Sequence, residues 1–180
     1  MMRTHLRFIV ASAAAAVLGA VAAAPVLADP SPAAVTALLD RAQIEDILVD
    51  YYSHLGGADR DLGTYYTEDG VLDVNGLIGK GRKGIEEVYR KTAEGSPRLA
   101  GKFHMLLSNP RVVVTGDTAT ADVIWTGVVS ENAKATPRFV EQGREHDELV
   151  KRQGKWYFKY RVITSDGGLP KMFEPTYKDR

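Results

Sequence analysis

His104 lies in the run Phe103-His104-Met105-Leu106-Leu107, where every neighbour is apolar. A titratable group in such a strand is expected to be at least partly buried, and an imidazole there can take or give a proton near neutral pH. That chemistry suits enolisation and β-elimination. Further on, Glu145-His146-Asp147 lies inside a second strand-like stretch. Strand side chains alternate, so Glu145 and Asp147 share one face and His146 takes the other. In apolar surroundings the Glu145 carboxyl would be pushed up in pKa and become a general acid or base. On an exposed rim it would pair with Arg144 or Lys159 instead. Asp147 is expected to brace Arg161 across the neighbouring strand, and His146 is a lesser pocket candidate. Tyr51, Tyr52, Tyr65 and Tyr66 bring phenol hydroxyls that can donate to a developing enolate, with aromatic packing as the alternative. Trp125 reads as pocket wall or core.

The elements that must position these groups are visible as periodicity. From Ala33 the apolar positions Leu38, Leu39, Ile44, Ile47, Leu48, Tyr51 and Leu55 recur at helical spacing, and Gly56-Gly57 stops the helix. Asp59-Arg60-Asp61 caps a short turn-rich segment carrying Tyr65 and Tyr66. Val71 to Val74 reads as a strand, and Ile85 to Ala93 as a second helix, ended by Gly95 and Pro97. From Gly101 to Thr164, β-branched and aromatic residues alternate, punctuated by the hairpin turns Gly116-Asp117 and Gln153-Gly154. Helices first and a run of antiparallel strands afterwards predict an α+β fold, with the helices on one face of a curved sheet.

Arg3, His5 and Arg7 precede the alanine-rich apolar stretch Phe8 to Ala24, and Val26-Leu27-Ala28 has the form of a signal-peptidase site. The expected organisation is a signal peptide over 1–28, a flexible lead over 29–36, the folded domain over 37–166 and a tail over 167–180. The product is expected to be periplasmic or secreted, with no membrane attachment after cleavage. There is no cysteine, so no disulfide staples the fold. The full chain has 23 basic and 23 acidic residues; removing Arg3 and Arg7 leaves 21 against 23, a net of −2. Such balance gives no footprint for nucleic acid or anionic lipid, which leaves a small molecule or another protein as the expected partner. The histidines show no zinc or facial-triad spacing, so no metal is expected. Gly79-Lys80-Gly81-Arg82-Lys83-Gly84 fits G-x-G-x-x-G, but the strand after the helix ends at Ser108-Asn109-Pro110 without the acidic residue that a dinucleotide site needs. No cofactor is expected.

Taken in order, Ile44-x-x-Ile47-x-x-x-Tyr51, Tyr66-x-x-Asp69-Gly70-x-Leu72-Asp73, His104-x-x-x-x-Asn109-Pro110, Gly116-Asp117-x-Ala119-x-Ala121, Gly143-x-x-x-Asp147 and Gly154-x-Trp156-x-x-x-x-Arg161 resemble the nuclear transport factor 2-like superfamily in its SnoaL-like branch. The resemblance covers nearly all of the chain after residue 28. It implies a cone-shaped α+β barrel: a strongly curved, mixed, mainly antiparallel sheet with the N-terminal helices on its concave side, around a deep apolar pocket. It implies a relation to scytalone dehydratase, ketosteroid isomerase and polyketide cyclases, and a homodimer built on the outer sheet face. The implied activity is a cofactor-independent lyase or isomerase on a small hydrophobic, cyclic or aromatic molecule. His104 would then be the base or acid, Tyr51 and Glu145 would polarise the reacting oxygen, and Tyr52, Tyr66, Trp125, His146 and Asp147 would line the pocket. The relatives' carboxylate five residues beyond the tyrosine matching Tyr51 is replaced here by Gly56, with Asp59 the nearest substitute. A non-catalytic binding or interaction module of the same fold is the competing expectation.

Overall fold

Ser31 opens the first helix because its hydroxyl accepts from the Ala34 amide at 3.2 Å and Pro32 pre-sets the first helical turn. In the computed structural model, which describes residues 29–55, 61–94 and 102–179, this helix α1 runs Pro32–Ser53. Its buried positions are Asp40, Ile44, Leu48, Tyr51 and Tyr52, a single stripe at helical spacing. Leu38 and Leu39 stand 65% and 58% exposed, so they are not core residues as their type suggests. Asp40 takes the inward position of that turn and accepts from Lys151 Nζ at 2.6 Å and Trp156 Nε1 at 3.2 Å. An inward carboxylate with two donors rotates the stripe away from the leucines. Gly56-Gly57 and Asp59 lie outside the described residues.

A short 3-10 turn, Leu62–Tyr65, leads into β1 (Tyr66–Val74), β2 (Leu77–Lys80) and α2 (Gly81–Glu94). Four long strands follow: β3 (Lys102–Thr115), β4 (Thr118–Ser130), β5 (Arg138–Arg152) and β6 (Lys155–Gly167). β2 is an addition to the elements read from periodicity, made by the Asn75-Gly76 hairpin turn, whose residues both have positive φ. The glycine motif before α2 has a packing explanation. Gly81 takes φ +63°, and a Cβ on Gly79 would collide with the backbone of Gly84, so strand and helix meet at bare backbone.

The six strands form one mixed sheet in the order β2-β1-β6-β5-β4-β3, parallel only between β1 and β6. Register shifts interrupt β1/β6, β3/β4, β4/β5 and β5/β6, and such bulges bend and twist strands. The sheet is curved but does not close into a barrel: β2 and β3 remain its edges. α1 packs against β3 and β6, and α2 against β1 and β2. The core therefore lies between the helices and one sheet face, joining Ile44, Leu48 and Tyr51 to Leu72, Ile85, Val123, Leu149 and Phe158. The tail is structured by a 3-10 turn, Lys171–Phe173, that buries Phe173.

Candidate acid–base site

Along β5 the core-facing positions are Glu141, Gly143, Glu145, Asp147 and Leu149. Three of these five carry carboxyls, which only a specific set of partners can hold in a core. Each stands across β4 from a small or β-branched residue: Glu141 from Gly127, Glu145 from Val123 and Asp147 from Ala121. On the other side, Asp147 pairs in register with Arg161 of β6.

Glu145, Asp147 and Arg161 form a closed cluster, all three side chains fully shielded from solvent. Arg161 Nη2 donates to Glu145 Oε1 at 2.6 Å, and Arg161 Nε stands 3.4 Å from Asp147 Oδ1. The guanidinium lies 3.8 Å from the centroid of the Tyr51 ring and 4.4 Å from that of Phe158, a desolvated cation–π arrangement. Tyr52 donates its hydroxyl to the other oxygen, Glu145 Oε2. Two carboxyls face one cation. Burial, and then the charge of Glu145, push the Asp147 carboxyl well above the usual carboxylate range. Burial pulls the Arg161 guanidinium down, but the charges of Glu145 and Asp147 outweigh it and keep Arg161 cationic.

A cavity of about 50 Å³ opens beside this cluster, walled by Tyr51, Tyr52, Tyr89, Met105, Trp125, Ile163 and Phe173 among others. Its polar margin is Asn75, Thr92, Glu141 and Ser165, and Glu141 is the one charged side chain among the described residues of the wall. The hydroxyls of Tyr51 and Tyr66 both meet that of Tyr89. Three hydroxyls joined by two hydrogen bonds leave one O–H to give, and burial above all raises the pKa of Tyr51 and Tyr66, which keeps the string protonated. Phe173 is held over the cavity from the tail. Thr176 Oγ1 donates to Asn75 O at 3.0 Å, and the Tyr177 hydroxyl to Ser165 O at 3.1 Å.

The expected site residues divide accordingly. Tyr51, Tyr52 and Trp125 come together on the wall. Glu145 faces the core but stands behind Tyr52 rather than on the wall, and Asp147 is the ion-pair partner of Arg161. Tyr66 is buried and reaches the site through Tyr89. Arg144 and Lys159, the rim partners considered for Glu145, pair instead with Asp166 and Asp69. His146 is exposed on the outer face and meets Asp122 at 2.6 Å, so it is not in the pocket. His104 is also exposed, because Phe103, Met105 and Leu107 take the inward positions of β3. The expected burial of His104 is thus corrected: with apolar residues on both faces of the strand, alternation did not reveal which face was inward. Glu141 was missed, although its spacing from Glu145 and Asp147, i, i+4 and i+6, places it on their face. Among the described residues no three His, Cys, Asp or Glu side chains are grouped to hold a metal.

A curved open sheet of this order, with two helices over a mainly apolar cavity, defines a class, and the chain belongs to it. The SnoaL-like domain model matches residues 36–162, so this is a member of the SnoaL-like family. Solved structures with the same fold include ActVI-ORFA from Streptomyces coelicolor (TM-score 0.64, 19% identity, covering 74% of this chain and 99% of that one). A nuclear transport factor 2-like protein with a cystatin-like fold from Novosphingobium aromaticivorans is similar at TM-score 0.61 and 20% identity, over 79% of this chain and 93% of that one. A proposed scytalone dehydratase from the same organism is similar at TM-score 0.60 and 18% identity, over 81% and 93%. At such identities the likeness is one of fold. No curated protein matches the chain.

Proposed function

We propose that this SnoaL-like domain is a cofactor-independent lyase or isomerase that moves a proton on a small, mainly apolar molecule bound in the cavity. The observation that carries this reading is the linked tyrosine string at an apolar wall. Tyr51 and Tyr89 bring their hydroxyls to that wall, and burial keeps the Tyr51 proton on oxygen. Such a donor, fixed in a dry site, stabilises an oxyanion as it forms and needs no reorganisation. Tyr52, anchored by Glu145 and through it by Arg161, fixes the neighbouring wall. A ring needs more room than is present, since a cavity of ~150 Å³ is what accommodates benzene. Entry therefore requires Phe173 or a wall tyrosine to move aside.

The test is α-hydrogen exchange of small ketones, cyclopentanone and 2-cyclohexenone, in D2O by NMR. The protein should accelerate exchange, and Tyr51→Phe should reduce the acceleration about 10²-fold. Binding of these ketones without any exchange would instead establish the competing reading, a non-catalytic binding module. The small cavity and the outward His104 favour that reading. Export with cleavage after Ala28 and a homodimer through the outer sheet face, where Phe139 is 78% exposed, complete the proposal. The mass of the exported protein and its solution molecular weight check these two points.

A further inference from the structure

We infer that Asn75 is a guarded modification site: its side-chain amide deamidates through Gly76, and only when the C-terminal tail lifts. This site is independent of the chemistry proposed for the cavity.

Asn75-Gly76 is the one Asn-Gly pair in the sequence. Glycine carries no side chain to hinder its peptide nitrogen, which can therefore reach the amide of the residue before it. Asn109 precedes a proline, which has no N–H, and Asn132 precedes an alanine. In the reaction the Gly76 nitrogen gives up its proton and bonds to Asn75 Cγ. The Cγ–Nδ2 bond breaks, and Nδ2 takes up a proton and leaves as ammonia. Water then opens the five-membered imide at either carbonyl. One opening gives aspartate. The other gives isoaspartate, in which the main chain runs through the former side chain.

The fold withholds every requirement of this reaction while the tail is in place. The Gly76 amide donates to Asp73 Oδ1 at 2.7 Å, a bond that must break before the nitrogen can attack. Asn75 Nδ2 donates to Ser165 Oγ at 3.0 Å and Oδ1 accepts from the Ser165 amide at 2.8 Å, so both ends of the amide are tied to β6. Water is kept away as well. Asn75 is 5% exposed, and Thr176 lies so close over the turn that a Cβ on Gly76 would fall 2.0 Å from its carbonyl oxygen. Thr176 Oγ1 donates to Asn75 O and the Tyr177 hydroxyl to Ser165 O, so the tail is fastened to both halves of the clamp. Reaction therefore proceeds from the locally opened state alone.

Conversion also makes the opening permanent. Neither product repeats the Nδ2–H donation to Ser165. Isoaspartate adds a carbon to the backbone of a two-residue turn and breaks the register of Val74 with Leu77. Aspartate puts a carboxylate into a buried site built for an amide. Either way Thr176 loses its seat, and Phe173 is released from the cavity it narrows. The turn is thus a one-way switch that opens the cavity.

Incubation in mildly alkaline buffer tests this, with mass spectrometry of the peptide carrying Asn75 and chromatography to separate its aspartyl and isoaspartyl forms. The folded parent should convert at least ~10-fold more slowly than the same chain unfolded in urea, because only its open fraction reacts. Thr176→Val combined with Tyr177→Phe removes the two tail hydrogen bonds at nearly constant shape. At roughly 5-fold per bond, the double variant should convert about 10-fold or more faster than the parent. Thermal melts establish that it is folded at the incubation temperature. Converted and unconverted parent molecules, separated by charge, are then treated with trypsin, and cleavage after Lys171 should be at least ~10-fold faster in the converted ones. A folded parent that converts as fast as the unfolded chain, or a folded double variant no faster than the parent, would overturn the guarding by the tail. Equal cleavage after Lys171 in the two forms would overturn the switch.

Discussion

At the scale of single residues, the site is organised by one imbalance: two core carboxyls, Glu145 and Asp147, and a single buried cation, Arg161. The consequence falls on Asp147, whose carboxyl is raised well above its usual range by burial first and the charge of Glu145 second. A group whose folded pKa is raised binds its proton more tightly in the folded chain than in the unfolded one. Its stabilising contribution is complete below the unfolded value of ~4 and is lost as pH rises toward the folded one. Asp147→Asn removes that titration. The variant should therefore show a flatter decline of stability than the parent as pH rises above ~4, by up to ~1.4 kcal/mol per pH unit. Urea unfolding at several pH values reads this directly, and parallel slopes would show that Asp147 is ionised in the core. The pairing of Asp147 with Arg161 was legible as strand alternation. The third acid of the row, Glu141, shares that alternation and was equally legible.

Among the elements, β4 and β5 meet the cavity through pairs in which a large side chain faces a glycine, Trp125 opposite Gly143 and Glu141 opposite Gly127. Gly143 illustrates the constraint: a Cβ there would clash with both Trp125 and the Thr164 carbonyl of β6. Gly143→Ala should cost ~1–3 kcal/mol and displace the indole, since an overpacked core yields by shifting backbone and rotamers. A melting curve together with the fluorescence of the tryptophans would show it; an unchanged melting temperature would mean that the sheet opens there easily. Helix α1 gives the complementary lesson. Its helical period was readable, but its inward face was not, because Leu38 and Leu39 are as apolar as Ile44 and Leu48. The choice was made by Asp40, whose partners Lys151 and Trp156 come from the far end of the chain.

For the whole molecule, the decisive contact joins the tail to the β1–β2 turn. Asn75 donates to Ser165 Oγ at 3.0 Å, accepts from the Ser165 amide at 2.8 Å, and receives Thr176 on its carbonyl. These bonds hold Phe173 at the cavity. Phe173→Ala should destabilise by no more than ~3–5 kcal/mol and enlarge the cavity enough to take benzene, detectable by NMR. Failure of the variant to bind benzene would mean that the tail collapses inward or that another residue limits the space. By itself, the sequence determined the α+β class, the hairpins at Gly116-Asp117 and Gln153-Gly154, and the shared face of Glu145, Asp147 and Arg161. Each of these follows from a local period or a turn conformation. Only the tertiary structure decided that His104 points outward, that Glu145 is covered by Tyr52, and that Phe173 narrows the cavity. Those outcomes depend on which of two apolar faces meets a helix and on contacts between residues a hundred positions apart, and no local pattern encodes either.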